Sequence, residues 1–225
     1  MKTKLLRVLV PFVLLPLTIV LGAVLLREKY YAFVILAVLL LTVLFFYSGF
    51  ERKKVTSRRL VVVAVMTALA ALGRVVLTPL PGVTPITALA ALTALSLGGE
   101  AGFMVGSLAA LLSDFYAGQG VWTPFQMFAW GLTGLFAGLL AKQLKSSRVL
   151  LAVYGVLAGA AYSLLMDLWS VLWLNGTFSP ALYAAALGPS APFTLTYAVT
   201  NTVLLLLLEK PFCKKLDRIK LKYGL

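Results

Sequence analysis

A chain of 225 residues that is 61% hydrophobic and 12% charged, with a mean hydropathy of +1.00, carries far more apolar surface than a soluble domain of this length can bury. There is no histidine and a single cysteine, Cys213, which excludes a Cys/His zinc site, bis-His haem ligation, a Ser-His-Asp triad and an internal disulfide. The net charge of +13 gathers in clusters at the N-terminus, 51–59, 142–148 and 209–222, the pattern of membrane-flanking charge facing anionic lipid and not of a nucleic-acid surface.

Eight apolar runs follow in chain order, at about 5–26, 31–49, 60–77, 86–97, 101–112, 124–141, 149–174 and 192–208. Hydrocarbon about 30 Å thick asks for roughly 20 apolar residues per helix, so the chain reads as an all-α integral membrane protein. The first run follows Lys2, Lys4 and Arg7 as a signal peptide would, but it is longer than a signal core and ends in "REKYY" instead of small residues. It is therefore a retained helix. Placing the N-terminus in the cytoplasm puts every basic cluster, and both termini, on that side.

Runs one and two are rich in Leu and Val with almost no interior polar group. They predict a two-helix anchor over 1–50, then a basic linker at 51–59, a six-helix core over 60–209 and a basic tail over 210–225. Runs four and five are twelve residues each, joined by "GGE" (98–100), and fit either two short helices or a re-entrant pair. Gly102 with Gly106, Gly134 with Gly138, and Gly155 with Gly159 are spaced for close helix packing. No internal repeat is visible, which counts against an inverted-repeat carrier.

Three charges lie in or against the core runs: Arg74, Asp114 and Asp167, all toward the outer leaflet. A charge at membrane depth is costly, so each is a candidate functional group. The plainer alternatives are a snorkelling Arg74, an exposed turn carboxylate at Asp114, and an ion pair between Asp167 and Arg74. Run seven repeats Ser163, Asp167 and Ser170 at helical spacing beside a stripe of Tyr162, Met166, Trp169 and Trp173, and run eight adds Thr194, Tyr197 and Asn201.

The corner "SDFYAGQGVWTPFQMFAWG" (113–131) supplies Asp114, Trp122, Gln126 and Trp130. Above it, the stiff "TPLPGVTP" (78–85) and the long "NGTFSPALYAAALGPSAP" (175–192) read as a roof and a lid. The expected binding set is Arg74, Asp114, Trp122, Gln126, Trp130, Ser163, Asp167, Trp169, Tyr197 and Asn201, a cleft suited to a flat, partly polar small molecule. Asp-rich metal motifs for prenyl transfer and Glu/His or Ser/His protease pairs are missing, so no enzyme, cofactor or metal is expected.

The segments "AVMTALAALGRVVL" (64–77), "PLPGVTPITAL" (79–89), "GFMVGSLAALLSDFYAGQGVWTPFQM" (102–127) and "WGLTGLFAGLL" (130–140) resemble the substrate-binding S component of energy-coupling factor (ECF) vitamin transporters. The resemblance covers Arg59 to Glu209. It implies six short helices, a vitamin or precursor bound near the outer face, and partnership with a transmembrane coupling protein and two cytoplasmic ATPases in a bacterial or archaeal plasma membrane. It further implies that an Ala-x-x-x-Ala pattern, matched by Ala64 and Ala68, docks on the coupling protein. The two N-terminal helices depart from the six-helix pattern.

No "GxxxxGK[ST]" motif is present, so ATP must be hydrolysed by partners. The corner sequence most resembles the subgroups assigned to cobalamin or its precursors, with thiamine-, folate- and queuosine-like ligands also open. The rival reading is a small ion-coupled secondary transporter using Asp167.

Overall fold

The computed structural model describes residues 2–26, 30–48 and 57–223, and among these the regular structure is entirely helical. The first apolar run is a helical rod built from α1 (Lys2–Leu9), a π-helical turn (Val10–Leu14), α2 (Leu15–Leu21) and a second π-helical turn (Gly22–Leu26). Pro11 and Pro16 open the first π turn and α2. Proline lacks the donor that a regular turn would use, which favours a widened turn there. Helix α3 (Tyr31–Ser48) completes the N-terminal pair.

The rest of the chain forms α4 (Ser57–Leu77), α5 (Ile86–Leu97), α6 (Gly99–Ala117), α7 (Thr123–Leu139), the short α8 (Ala141–Ser146), α9 (Arg148–Asn175) and α10 (Pro180–Tyr223). Five described stretches are long and apolar enough to cross a membrane: Leu5–Leu25, Tyr31–Ser48, Ser57–Leu77, Arg148–Asn175 and Pro180–Tyr223.

Helix α5 explains the layout. All twelve of its residues are buried, as a helix that is apolar all round requires. It is the axis about which α4, α6, α7 and α10 pack. The chain reverses at Gly98 (φ 100°) into α6, which runs past the expected end of its apolar stretch and takes in Ser113 to Ala117.

The three glycine pairs sit at helix crossings. A Cβ on Gly106 would strike the Trp130 carbonyl, one on Gly134 the Gly102 carbonyl, and one on Gly138 the backbone of Gly99. On the other side, a Cβ on Gly155 would lie 2.8 Å from Thr202 and one on Gly159 2.6 Å from Ala198. Side-chain-free contacts thus set the α6–α7 and α9–α10 spacings.

Two expectations change. The stretch 175–192 is not a long lid: only a short turn at Gly176 (φ 71°) separates α9 from α10, which starts at Pro180 and continues through Pro189, Pro192 and Pro211. Proline is well placed in a first helical turn, and the Ala-rich 181–188 carries high helix propensity. The N-terminal pair also carries buried polar groups, Thr42 and Ser48. The Ser48 hydroxyl donates to the Phe45 carbonyl at 2.7 Å, while the Thr42 hydroxyl has no partner among the described residues.

That pair is packed on the bundle: Phe45 meets Phe103 of α6 edge-on at 5.1 Å, and Phe12 lies 6.2 Å from Phe136 of α7. Residues 51–56 of the basic linker lie outside the described residues.

Apart from Arg74, the described basic groups collect at one end of the bundle. There Arg59 donates to the Leu97 carbonyl and Lys220 to the Ser96 carbonyl at 3.0 Å, so two cations meet the C-terminal carbonyls of α5. Arg74, Asp114 and Asp167 lie toward the other end.

Candidate functional site

Helix α5 begins only at Ile86, and the segment before it folds over the space left above its first turn. Leu80 to Val83 form a turn closed by a 3.0 Å bond from the Val83 N–H to the Leu80 carbonyl. Pro81 fixes the second position, and Gly82 adopts φ 77° at the third, where a type II turn favours glycine. A Cβ on Gly82 would lie 3.1 Å from Thr196, so the turn rests on α10. Beneath it is a cavity of about 200 Å³ bounded by Arg74, Thr78, Gln126, Trp130, Tyr162, Tyr197 and the roof residues 80–84.

One wall is electrostatic. The Arg74 Nη1 donates to Asp114 Oδ1 at 2.8 Å and to Ser113 Oγ at 2.7 Å, while the Thr123 hydroxyl donates to Asp114 Oδ2 at 2.7 Å. The guanidinium also lies 4.8 Å from the centre of the Trp130 ring, a cation–π contact. Asp114 is fully buried.

Three alternatives fall together. Arg74 does not snorkel, Asp114 is not an exposed turn residue, and Arg74 pairs with Asp114 and not with Asp167. The reason is the length of α6: Asp114 stays within its last turn and faces α4 instead of the loop. Gln119 caps the same helix end, donating to the Leu111 carbonyl at 3.0 Å.

The other wall is aromatic. Trp130 stacks on Tyr162 at 4.5 Å and 15°, and Tyr162 meets Tyr197 edge-on at 4.9 Å. Trp169 stands in a separate cluster, edge-on to Trp122 at 6.2 Å and to Phe125 at 6.5 Å. Helices α9 and α10 are laced beside the cavity: Ser163 and Thr194 share a 2.6 Å hydrogen bond, the Ser190 hydroxyl donates to Asp167 at 2.7 Å, and the Tyr183 hydroxyl donates to the Leu164 carbonyl at 3.2 Å.

Of the ten residues expected to bind ligand, Arg74, Gln126, Trp130 and Tyr197 bound the cavity, and Asp114 supports it from behind Arg74. Ser163 and Asp167 are engaged with α10, and Trp122 and Trp169 with each other. Asn201 is buried one turn beyond Tyr197.

Tyr162 and the hydroxyls of Ser113 and Thr123 are new members. Tyr162 adjoins Ser163, so its register was within reach, and Thr123 opens α7 nine residues after the carboxylate it binds. Buried side-chain atoms that keep unused hydrogen-bonding capacity among the described residues include Gln126 Oε1, Trp130 Nε1, Trp169 Nε1 and Asn201 Oδ1. Such orphans call for a partner.

Ala64 and Ala68 lie exposed on α4, away from the cavity. Beside them, between α4 and the end of α10, runs an apolar groove of about 630 Å³ lined by Val61, Val65, Leu69, Phe212, Leu216 and Ile219 among others.

A multi-pass helical membrane protein with a small aromatic and polar cavity at one end of the bundle has the form of a membrane subunit that binds a small solute. A family model described as "ECF-type riboflavin transporter, S component" matches residues 54–216, which span α4 to α9 entire and most of α10. The chain belongs to this family of ECF transporter S components, and it is a vitamin-transport component of that kind. Neither a curated protein nor a solved structure matches it.

Proposed function

We propose that the chain captures a flavin-like planar heterocycle in the cavity beneath residues 80–84 and delivers it through an ATPase-driven coupling protein. The observation that carries this reading is the Trp130–Tyr162–Tyr197 wall beside two buried polar atoms with no partner, Gln126 Oε1 and Trp130 Nε1. Aromatic faces hold a flat ring by stacking, and a side-chain amide can pair with the donor and acceptor of an imide edge, such as that of an isoalloxazine.

The family description names riboflavin, which is consistent with such a ring. The cavity of about 200 Å³ is small against a corrin macrocycle with its nucleotide loop. On the family description we favour a flavin over the cobalamin expectation. The remaining site residues act indirectly: Asp114, Ser163 and Asp167 fix the helices and groups around the ligand.

Orientation follows from charge. With the basic end in the cytoplasm, the cavity opens toward the outer face of the plasma membrane, where an importer meets its substrate. The exposed Ala64 and Ala68 then suit close approach by a helix of the coupling protein.

The test is a titration of the purified full chain in detergent with riboflavin, read by quenching of flavin fluorescence. Saturable binding is expected, with Tyr197→Ala weakening it by about tenfold or more, in keeping with roughly 1–3 kcal/mol for stacking of a heterocycle on one aromatic ring. Absence of binding by folded wild-type protein refutes the ligand assignment.

A further inference from the structure

Among the described residues that bound the cavity, Arg74 is the one charged side chain, and its charge is already answered. Its Nη1 is shared between Asp114 and Ser113, its face is covered by Trp130, and Asp114 is sealed from solvent with Thr123 on its other oxygen. The second carboxylate near this end, Asp167, is 8% exposed and is met by the Ser190 hydroxyl, and among the described residues no salt bridge reaches it. The immediate surroundings therefore hold two carboxylates to one guanidinium.

We infer that the site selects an uncharged ligand over its anionic ester, and that Asp114 sets this selectivity as a positioning residue that holds and neutralises Arg74. The inference rests on the reading that this cavity is the ligand site. An incoming phosphate has one cation to meet. Taking Arg74 from Asp114 would leave a fully buried carboxylate with a single hydroxyl for a partner, the most costly arrangement available in a low-dielectric interior. An uncharged heterocycle needs only the aromatic wall and the free hydrogen-bonding atoms. Replacing Asp114 by Asn preserves shape and an accepting oxygen but leaves the guanidinium charge unanswered, so an anion should then be drawn in.

The experiment compares riboflavin, its 5′-monophosphate and its neutral 5′-acetate on the wild-type chain and on Asp114→Asn, in detergent at low salt. Wild type is expected to bind the monophosphate at least about tenfold more weakly than riboflavin, and Asp114→Asn to narrow that ratio by about tenfold or more through tighter binding of the monophosphate. A merely structural role for Asp114 would weaken all three ligands alike, and that result overturns the inference. So does a monophosphate bound as tightly as riboflavin by wild type, or an acetate excluded as strongly as the monophosphate, since size and not charge would then decide.

The wild-type arm stands alone if Asp114→Asn does not fold. Inorganic phosphate provides an arm that needs no flavin: it should raise the melting temperature of Asp114→Asn and leave wild type unchanged. Failure of any flavin to bind would refute the ligand assignment, while this arm still decides the charge rule. A phosphate-induced rise in wild type, or none in a folded Asp114→Asn, overturns it.

Discussion

Breaking the Arg74–Asp114 pair from its two sides should cost different amounts, and removing both partners should cost less than removing Arg74 alone. Arg74→Met leaves a carboxylate that is 0% exposed with only the Thr123 hydroxyl beside it. Loss of one partner of a buried pair typically costs about 3–5 kcal/mol, and the sealed position of Asp114 places Arg74→Met in that range. Asp114→Asn leaves a guanidinium whose side chain is 19% exposed and borders the cavity, where water can reach it. Its cost should be smaller, about 1–3 kcal/mol.

The double variant Arg74→Met/Asp114→Asn contains no lone charge and keeps an acceptor for Thr123, so it should be more stable than Arg74→Met alone. The coupling should be about 2–3 kcal/mol. As a control, Asp167→Asn still offers an oxygen to Ser190; it should cost under about 1 kcal/mol and add independently to Arg74→Met. The assay is reversible unfolding of the four proteins in mixed micelles, followed by circular dichroism against SDS fraction. A double variant as unstable as the sum of the two singles would show that the pair carries no coupling, and the account of Asp114 would fail.

Other outcomes follow from packing and exposure. Gly134→Ala drives a Cβ into the Gly102 carbonyl and should destabilise the bundle by about 1–3 kcal/mol, whereas Gly188→Ala meets nothing within 4 Å and should be neutral; thermal melts compare the two. Ala68→Trp places a large ring on the exposed face of α4 and should abolish uptake by the assembled transporter while flavin affinity in the isolated chain stays unchanged; lost affinity would mean the residue serves the fold. Ser57→Cys and Ser146→Cys, both exposed at the basic end, should resist an impermeant thiol reagent in intact cells and react after lysis, and ready labelling in intact cells would invert the proposed orientation.

The sequence made some of this legible for definite reasons. Glycines four residues apart in apolar helices announce a close crossing, and Gly102/Gly106 against Gly134/Gly138 is one. The brevity of run four was visible as a count of twelve residues. What could not be read was which helices are neighbours. Arg74 lies on α4, and whether it meets Asp114 on α6 or Asp167 on α9 depends on three-dimensional adjacency that no periodicity encodes. The lid was misjudged because 175–192 was read as long and mixed, and the helix propensity of its Ala-rich stretch was passed over. Tyr162 and Ser163 differ by about 100° on the helix, so an error of one residue decides which of them faces the cavity.

The position of the cavity is itself a consequence of that short run. Twelve residues at 1.5 Å make a helix of about 18 Å, while the hydrocarbon is about 30 Å thick. At the basic end the shortfall is closed by Arg59 and Lys220 reaching the last carbonyls of α5. At the other end no side chain of α5 remains to fill the space, and longer neighbours continue past it: α4 to Leu77, α6 to Ala117, and α10 through Tyr197. Their inward-facing residues there have no central helix to pack against. Polar and aromatic groups can occupy such positions because they meet a cavity and one another in place of an apolar neighbour, and Arg74, Gln126 and the Trp130–Tyr162–Tyr197 wall do so. The axial helix sets the floor, the turn at Leu80–Val83 sets the roof, and the chemistry between them comes from helices whose spacing is fixed elsewhere by glycine contacts.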